Sequence, residues 1–249
     1  MTGTRIRVDK ISKKFNIDFR KNEGLLARVL YFLPRSSPKR ELLAIEDVSF
    51  DVKAGEIVGV IGKNGSGKST LLKIIAGVYA PSFGEVETTG TMVYLTGLGQ
   101  GLVPRLTMRE NILLMGSVMG LAQNDIKKKL GEIVEFSGLK EFIDSKVYQF
   151  SSGMITRLNF SVMIHSLKHH NPDIILLDEV FGAGGDIDFQ KKGIEKMEEL
   201  IRSGASVIMV SHSLEIIKKY CQKAILLDKG KIDFMGVPEE TVKRYLNNK

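Results

Sequence analysis

Residues 62–70 read GKNGSGKST: Gly62-Lys63-Asn64-Gly65-Ser66-Gly67-Lys68-Ser69-Thr70. The run fits G-x-x-x-x-G-K-[ST], a loop whose glycines let backbone N–H groups curl around a phosphate chain without side-chain clash. Its surroundings agree with that reading. AGEIVGVIG (54–62) has the composition of a buried strand, and SGKSTLLKIIAGV (66–78) that of a helix with one apolar face. A helix N-terminus at this point adds positive potential where phosphates would lie. In such a loop Lys68 reaches the β- and γ-phosphates, Ser69 ligates Mg²⁺ and Thr70 donates to a more distal phosphate.

A second apolar run, NPDIILLDE (171–179), ends in Asp178-Glu179. Carboxylates at the C-terminal end of a strand in an open α/β sheet point into the ligand crevice. Asp178 is placed to hold Mg²⁺ through water, and Glu179 to polarise the attacking water as a general base. A lone Asp-Glu after an apolar strand is weak evidence, but here it lies 109 residues beyond Ser69 of the loop, and the pair is strong. A third apolar run, ASVIMVSH (205–212), carries His212 at its end, where an imidazole can bond the γ-phosphate. His165, His169 and His170 have no such placement and read as surface or packing residues.

The rest of the chain extends this pattern. RIRVDKISKKF (5–15) and LLAIEDVSFDV (42–52) read as strands, and KAILLDKGKIDFMG (223–236) as a hairpin turning at Lys229-Gly230. Residues 106–170 are mostly helix-forming, broken by glycines. Strands alternating with helices imply a largely parallel sheet wrapped by helices, with the middle stretch as an inserted helical subdomain.

Composition excludes several classes. No apolar run in the 249 residues approaches the roughly 18–20 needed to span a bilayer, and the start, MTGTRIRVDK, has no apolar h-region of a signal peptide. A single cysteine, Cys221, rules out an internal disulfide and fits a reducing compartment. The expected location is the cytosol or the cytosolic face of a membrane. The net charge of +7 is uneven: residues 1–40 hold 11 basic and 3 acidic side chains, the remainder 25 and 26. Nucleic acid, anionic lipid or an acidic partner would each answer to that basic end, as would a solvated face near a phosphate pocket. Within it, FRKNEGLLARVLYFLPRSSPKR (19–40) carries Leu25, Leu26, Val29, Leu30 and Leu33 as one apolar stripe at helical spacing, flanked by basic residues and stopped by Pro34.

Phe150-Ser151-Ser152-Gly153-Met154 leads into ITRLNFSVMIHSL, an amphipathic helix, 27 residues ahead of Asp178. A serine before a helix is ordinarily an N-cap. With the loop at 62–70, the acidic strand at Ile174–Glu179 and His212, however, the whole chain resembles the nucleotide-binding subunit of an ATP-binding-cassette (ABC) transporter. FSSGM stands where the family usually has LSGGQ. The resemblance implies an α/β fold: a P-loop NTPase core with a mixed sheet (1–95 and 166–249) and an inserted α-helical subdomain (96–165). It also implies a head-to-tail homodimer in which Ser151, Ser152 and Gly153 of one copy close on ATP bound to Gly62, Asn64, Gly65, Ser66, Gly67, Lys68, Ser69 and Thr70 of the other.

The signature FSSGM followed by TRLNFSV, the PRLTMREN stretch (104–111) and DFQKK (188–192) are similar to the cell-surface polysaccharide exporters, which move lipid-linked O antigen, capsule or teichoic acid polymers. In that branch an insertion behind the adenine-contacting aromatic lies at the membrane interface as an amphipathic helix; here it is residues 16–41. The implied partner is a membrane permease on a separate chain, bound through a groove on the helical subdomain, with no nucleic acid expected. The chain ends at Lys249, and the expectation is that it carries no C-terminal sugar-binding β-sandwich. Three positions depart from the family pattern. Leu98 stands where a glutamine is usual, with Gln100, a candidate metal ligand, two residues later. VFGAGGDID is one residue longer than expected before Asp186, the candidate dimer-loop aspartate. Phe15 replaces the usual adenine-stacking tyrosine; a core phenylalanine is the competing reading. Two other functions fit parts of the pattern: an ABC subunit for a lipid, drug or small-solute exporter, and an ABC-type ATPase acting on nucleic acid or ribosomes.

Overall fold

The computed structural model describes residues 3–17, 40–96, 101–170, 172–179, 187–202 and 204–248. At its centre are β3 (Ile57–Ile61), β6 (Ile174–Asp178) and β7 (Ser206–Val210), buried at every position. Such near-continuous apolar runs are what strands covered on both faces require. With β5 (Met92–Leu95), β8 (Lys223–Asp228) and β9 (Lys231–Gly236) they form a six-stranded sheet in the order β5-β6-β7-β3-β8-β9, parallel except for the antiparallel β8–β9 hairpin.

A second, antiparallel sheet has the order β2-β1-β4, from β1 (Thr4–Ile17), β2 (Arg40–Lys53) and β4 (Phe83–Thr88). The strands read from the sequence at 5–15 and 42–52 belong to this separate sheet, and β4 and β5 have no counterpart in the sequence reading. The reason is physical: β4 (FGEVET) is an almost wholly exposed edge strand with no apolar face to announce it, and β5 has only four residues. Strand pairing also runs further than expected, with Asn16 opposite Glu41 and Ile17 opposite Arg40. The predicted insertion is therefore strand at both ends, and residues 18–39 lie outside the described residues.

Period-two alternation gives the parallel sheet two cores. Val58, Val60, Ile174, Leu176, Ile208, Val210, Ile225 and Leu227 face α1 (Lys68–Ile75) and the antiparallel sheet, whose inner residues include Ile6, Val8, Ile11, Ile45, Val48 and Val52. Ile57, Ile61, Ile175, Leu177, Val207 and Met209 face the opposite way, onto Phe160 and Ile164 of α4 (Ser152–His170), Phe189 and Met197 of α5 (Ile187–Ile201), Ile217 of α6 (Leu214–Tyr220) and Val242 of α7 (Pro238–Asn247). The short helix α1 is thus enclosed between two sheets, which fixes the loop that precedes it.

Residues Met108 to Val162 build a third core of their own from α2 (Met108–Val118), α3 (Gln123–Ser137) and the first turns of α4. Thr107 and Glu110 form a reciprocal capping box at the start of α2. Gly138, in the left-handed region (φ +64°), ends α3, and the Arg157 guanidinium donates to the Ser137 and Gly138 carbonyls there. His165 is buried and its Nδ1 lies 2.7 Å from the Ser161 carbonyl, a packing residue as the sequence suggested; the side chains of His169 and His170 lie outside the described residues. Among the described residues no helix is long and apolar enough to cross a membrane.

Candidate functional site

The chain leaves β3 at Ile61 and turns immediately into the glycine loop. A Cβ on Gly62 would sit 2.2 Å from the Leu227 carbonyl oxygen and 2.7 Å from Ser66 Oγ, so no larger residue fits without rearrangement. Gly67, the N-cap of α1, has φ +106°, and a Cβ there would lie 2.6 Å from the Ala44 carbonyl oxygen. No side chain caps α1. Its first backbone N–H groups therefore stay available to an anion. The β8–β9 turn braces the loop from behind: Gly230 N–H donates to the Ser66 carbonyl (2.9 Å), and Glu46 N–H donates to the Gly230 carbonyl (2.9 Å). Among the described residues Ser66 Oγ is buried without a hydrogen-bond partner, which is uncommon for a buried hydroxyl.

Lys68 Nζ folds back over the loop and donates to the Gly62 and Lys63 carbonyls, each at 2.9 Å. Burial lowers its pKa from the ordinary lysine value, and the charges of Glu179 and Asp178 offset part of that effect. An ammonium held by two neutral carbonyls is a ready partner for a polyanion.

Asp178, at the end of β6, is buried, and both carboxylate oxygens accept hydrogen bonds: Oδ1 from Ser69 Oγ (3.1 Å) and Oδ2 from the Tyr94 hydroxyl (3.1 Å). The next residue, Glu179, has φ +58°, a sparsely populated conformation outside glycine. Its amide donates to the Val210 carbonyl of β7 (3.0 Å), and its Oε1 stands 2.9 Å from His212 Nε2. Glu179, His212 and the loop border an open cleft of about 670 Å³. Its other lining residues are Phe15, Leu42, Leu43, Ala44, Lys229 and Gly230. The volume is that of a small-molecule site. The Phe15 ring is half-buried, edge-on to Tyr79 with centroids 5.4 Å apart, and the Lys13 ammonium lies 5.2 Å from its centroid. The chemistry on offer in this one cleft is a glycine loop with a buried ammonium, an apolar rim with an aromatic ring, and a carboxylate–imidazole pair.

Of the sequence-derived candidates, Phe15, Asn64, Gly65, Gly67, Lys68, Ser69, Thr70, Glu179 and His212 line this single cleft, with Gly62 and Ser66 beneath it and Asp178 bonded to Ser69. Ser151, Ser152 and Gly153 do not border it. Ser151 Oγ accepts from the Met154 amide (3.2 Å), so within one chain it is the N-cap of α4. Leu98, Gln100 and Asp186 lie outside the described residues. The sequence reading missed Tyr94, which carried no signal beyond an apolar neighbourhood, and gave Lys229-Gly230 only a turn.

The sequence pattern of the ABC transporter family matches residues 45–182. The O-antigen export system ATP-binding protein RfbB of Klebsiella pneumoniae is 40% identical over 206 residues, 83% of this chain and 82% of that protein. The teichoic acids export ATP-binding protein TagH of Lactococcus lactis is 38% identical over 241 residues, covering 97% of this chain; the chain spans 50% of that relative's length. Among solved structures, the ATP-binding subunit of an ABC transporter superposes with a TM-score of 0.70 at 23% identity, over 98% of this chain and 94% of that one. At that identity the likeness speaks for the fold.

Proposed function

This chain belongs to the ABC transporter family, and from that membership we propose that it is the ATP-hydrolysing subunit of an exporter that moves lipid-linked cell-surface polysaccharide, of the O-antigen, capsule or teichoic acid type, across the cytoplasmic membrane. The observation that carries the cargo is the pairing of two relatives, an O-antigen and a teichoic acid export subunit, each about as similar to this chain as the other over most of its length.

The cleft supports the chemistry residue by residue. The triphosphate would lie on Gly62–Thr70, meeting the free N–H groups of the loop and of α1, with Asn64, Gly65 and Thr70 at its flank. Ser66 Oγ, unpartnered among the described residues, and Gly62 and Gly67, where a Cβ would clash, fit such a group. Lys68 would exchange its two carbonyl acceptors for β- and γ-phosphate oxygens. Ser69 would hold Mg²⁺ directly and Asp178 through water; Gln100 is a further candidate ligand. Bound there, the metal would neutralise phosphate charge as it develops. Glu179 would take a proton from the attacking water as the γ-phosphoryl group leaves ADP. His212 would orient Glu179 and meet the γ-phosphate. Phe15 would offer its ring to the adenine.

Two copies would close head to tail, so that Ser151, Ser152 and Gly153 of each bring the N-terminus of α4 to the other's γ-phosphate. The nucleotide core (1–95 and 166–249) would drive a membrane permease on a separate chain through the helical subdomain (96–165), with the basic, apolar segment 18–39, which remains of the predicted 16–41 insertion once its strand ends are taken off, at the cytoplasmic membrane interface. Nucleic acid has no part in this reading.

The test is depletion in the source cell, following labelled surface polysaccharide and its lipid-linked precursor. Accumulation of precursor inside, with loss of surface polymer, is the expected result. Surface polymer at its normal level would overturn the cargo and turn attention to a lipid or small solute.

A further inference from the structure

Among the described residues, Tyr94 is the one group on Asp178 that the motifs do not account for. β5 pairs with β6 in parallel register, with Tyr94 opposite Leu176. Leu176 faces the core that also holds α1, and Tyr94 packs against the same core. Asp178 is two residues further along β6 and so on the same face of the sheet. The phenol therefore reaches diagonally across the strand end, and its hydroxyl donates to Oδ2 at 3.1 Å while Ser69 Oγ donates to Oδ1 at 3.1 Å. A carboxylate with one oxygen occupied by a rigid aromatic donor cannot turn about its Cβ–Cγ bond without breaking that contact. Oδ1 is left as the oxygen that faces Ser69. From this geometry we infer that Tyr94 is a positioning residue for the magnesium site: it locks the Asp178 carboxylate so that Oδ1 and Ser69 Oγ present themselves together to the metal and its water. The inference rests on the proposed role of Asp178 toward magnesium.

Partners of this kind, hydrogen-bonded to a metal-binding carboxylate, typically account for about 10–100-fold in metal affinity. The substitution Tyr94→Phe removes one hydroxyl and keeps the ring that packs against the core around α1. ATP affinity is measured by calorimetry in EDTA and in saturating Mg²⁺, all on a Glu179→Gln background so that turnover does not intrude. The ratio of the two Kd values is the magnesium benefit. With Tyr94→Phe the EDTA affinity stays at the parent value and the benefit falls about tenfold. On an Asp178→Asn background, where the carboxylate is gone, adding Tyr94→Phe changes nothing further. An unchanged benefit, an equal fall on both backgrounds, or a loss of ATP affinity in EDTA would each overturn the role of Tyr94. Thermal melting of each variant identifies any loss of fold, and Tyr94→Trp, which keeps an aromatic ring and moves the donor, must then also lose the benefit or the inference fails. If the parent shows no magnesium benefit, or Asp178→Asn keeps it, the reading of Asp178 itself is what falls.

Discussion

His212 Nε2 lies 2.9 Å from Glu179 Oε1, joining the residues that follow two neighbouring parallel strands, β6 and β7. The same junction is tied through the backbone, Glu179 N–H to the Val210 carbonyl, with Glu179 held at φ +58°. A carboxylate presented on a strained turn and oriented by an imidazole suits a general base. Glu179→Gln keeps the size and hydrogen-bonding reach of the side chain and removes its basicity. The expected outcome is ATP binding at the parent level, an ATP-stabilised dimer in light scattering, and phosphate release slower by about 10²–10⁴-fold. Hydrolysis within a few-fold of the parent would remove Glu179 from that role.

The glycine loop makes a sharper demand on shape. Gly67→Ala places a Cβ 2.6 Å from the Ala44 carbonyl oxygen at φ +106°. We expect a loss of roughly 1–3 kcal/mol in urea unfolding together with loss of ATP binding. Gly131→Ala, in α3, is the contrast: a Cβ there meets nothing within 4 Å, and the helix should gain up to about 1 kcal/mol. Equal effects at the two sites would contradict the packing described for the loop.

Burial of Lys68 has a pH signature. Its pKa in the folded protein is lowered, chiefly by desolvation, with Glu179 and Asp178 pulling it partly back. Between that lowered value and the ordinary lysine pKa, the unfolded chain binds more protons than the native one, so this group makes stability rise with pH through the window. Lys68→Met should flatten that rise in the nucleotide-free protein. The comparison is urea-unfolding free energy across the alkaline range for both proteins, and identical slopes would mean that Lys68 titrates as an exposed lysine does.

Cys221, the sole cysteine, is buried beside Gly59 and Ile217, and burial pushes its thiol up to about 12. At pH 8 only about one molecule in ten thousand would carry a thiolate. Alkylation by iodoacetamide should be slow in the native protein and run to one label per chain in urea. Rapid labelling without denaturant would show that this face of the sheet opens readily.

The sequence by itself determined the glycine loop between strand and helix, the acidic strand end and the histidine after the third buried strand. These are local matters: glycine spacing, a lysine and serine at fixed offsets, and apolar runs too continuous for anything but strands covered on both faces. Only the tertiary structure decided what surrounds them. Strand order β5-β6-β7-β3 puts Tyr94 on Asp178 and Glu179 beside His212; the antiparallel sheet carries Phe15, Leu42 and Leu43 to the rim; the β8–β9 turn carries Gly230 under Ser66. None of these neighbours is close in sequence. Their meeting depends on which faces the sheet must bury against which helices, and side-chain periodicity tells how a strand faces but not which strand lies next to it. The exposed edge strand β4 stayed hidden for the same reason, since a strand that buries almost nothing leaves no pattern to read.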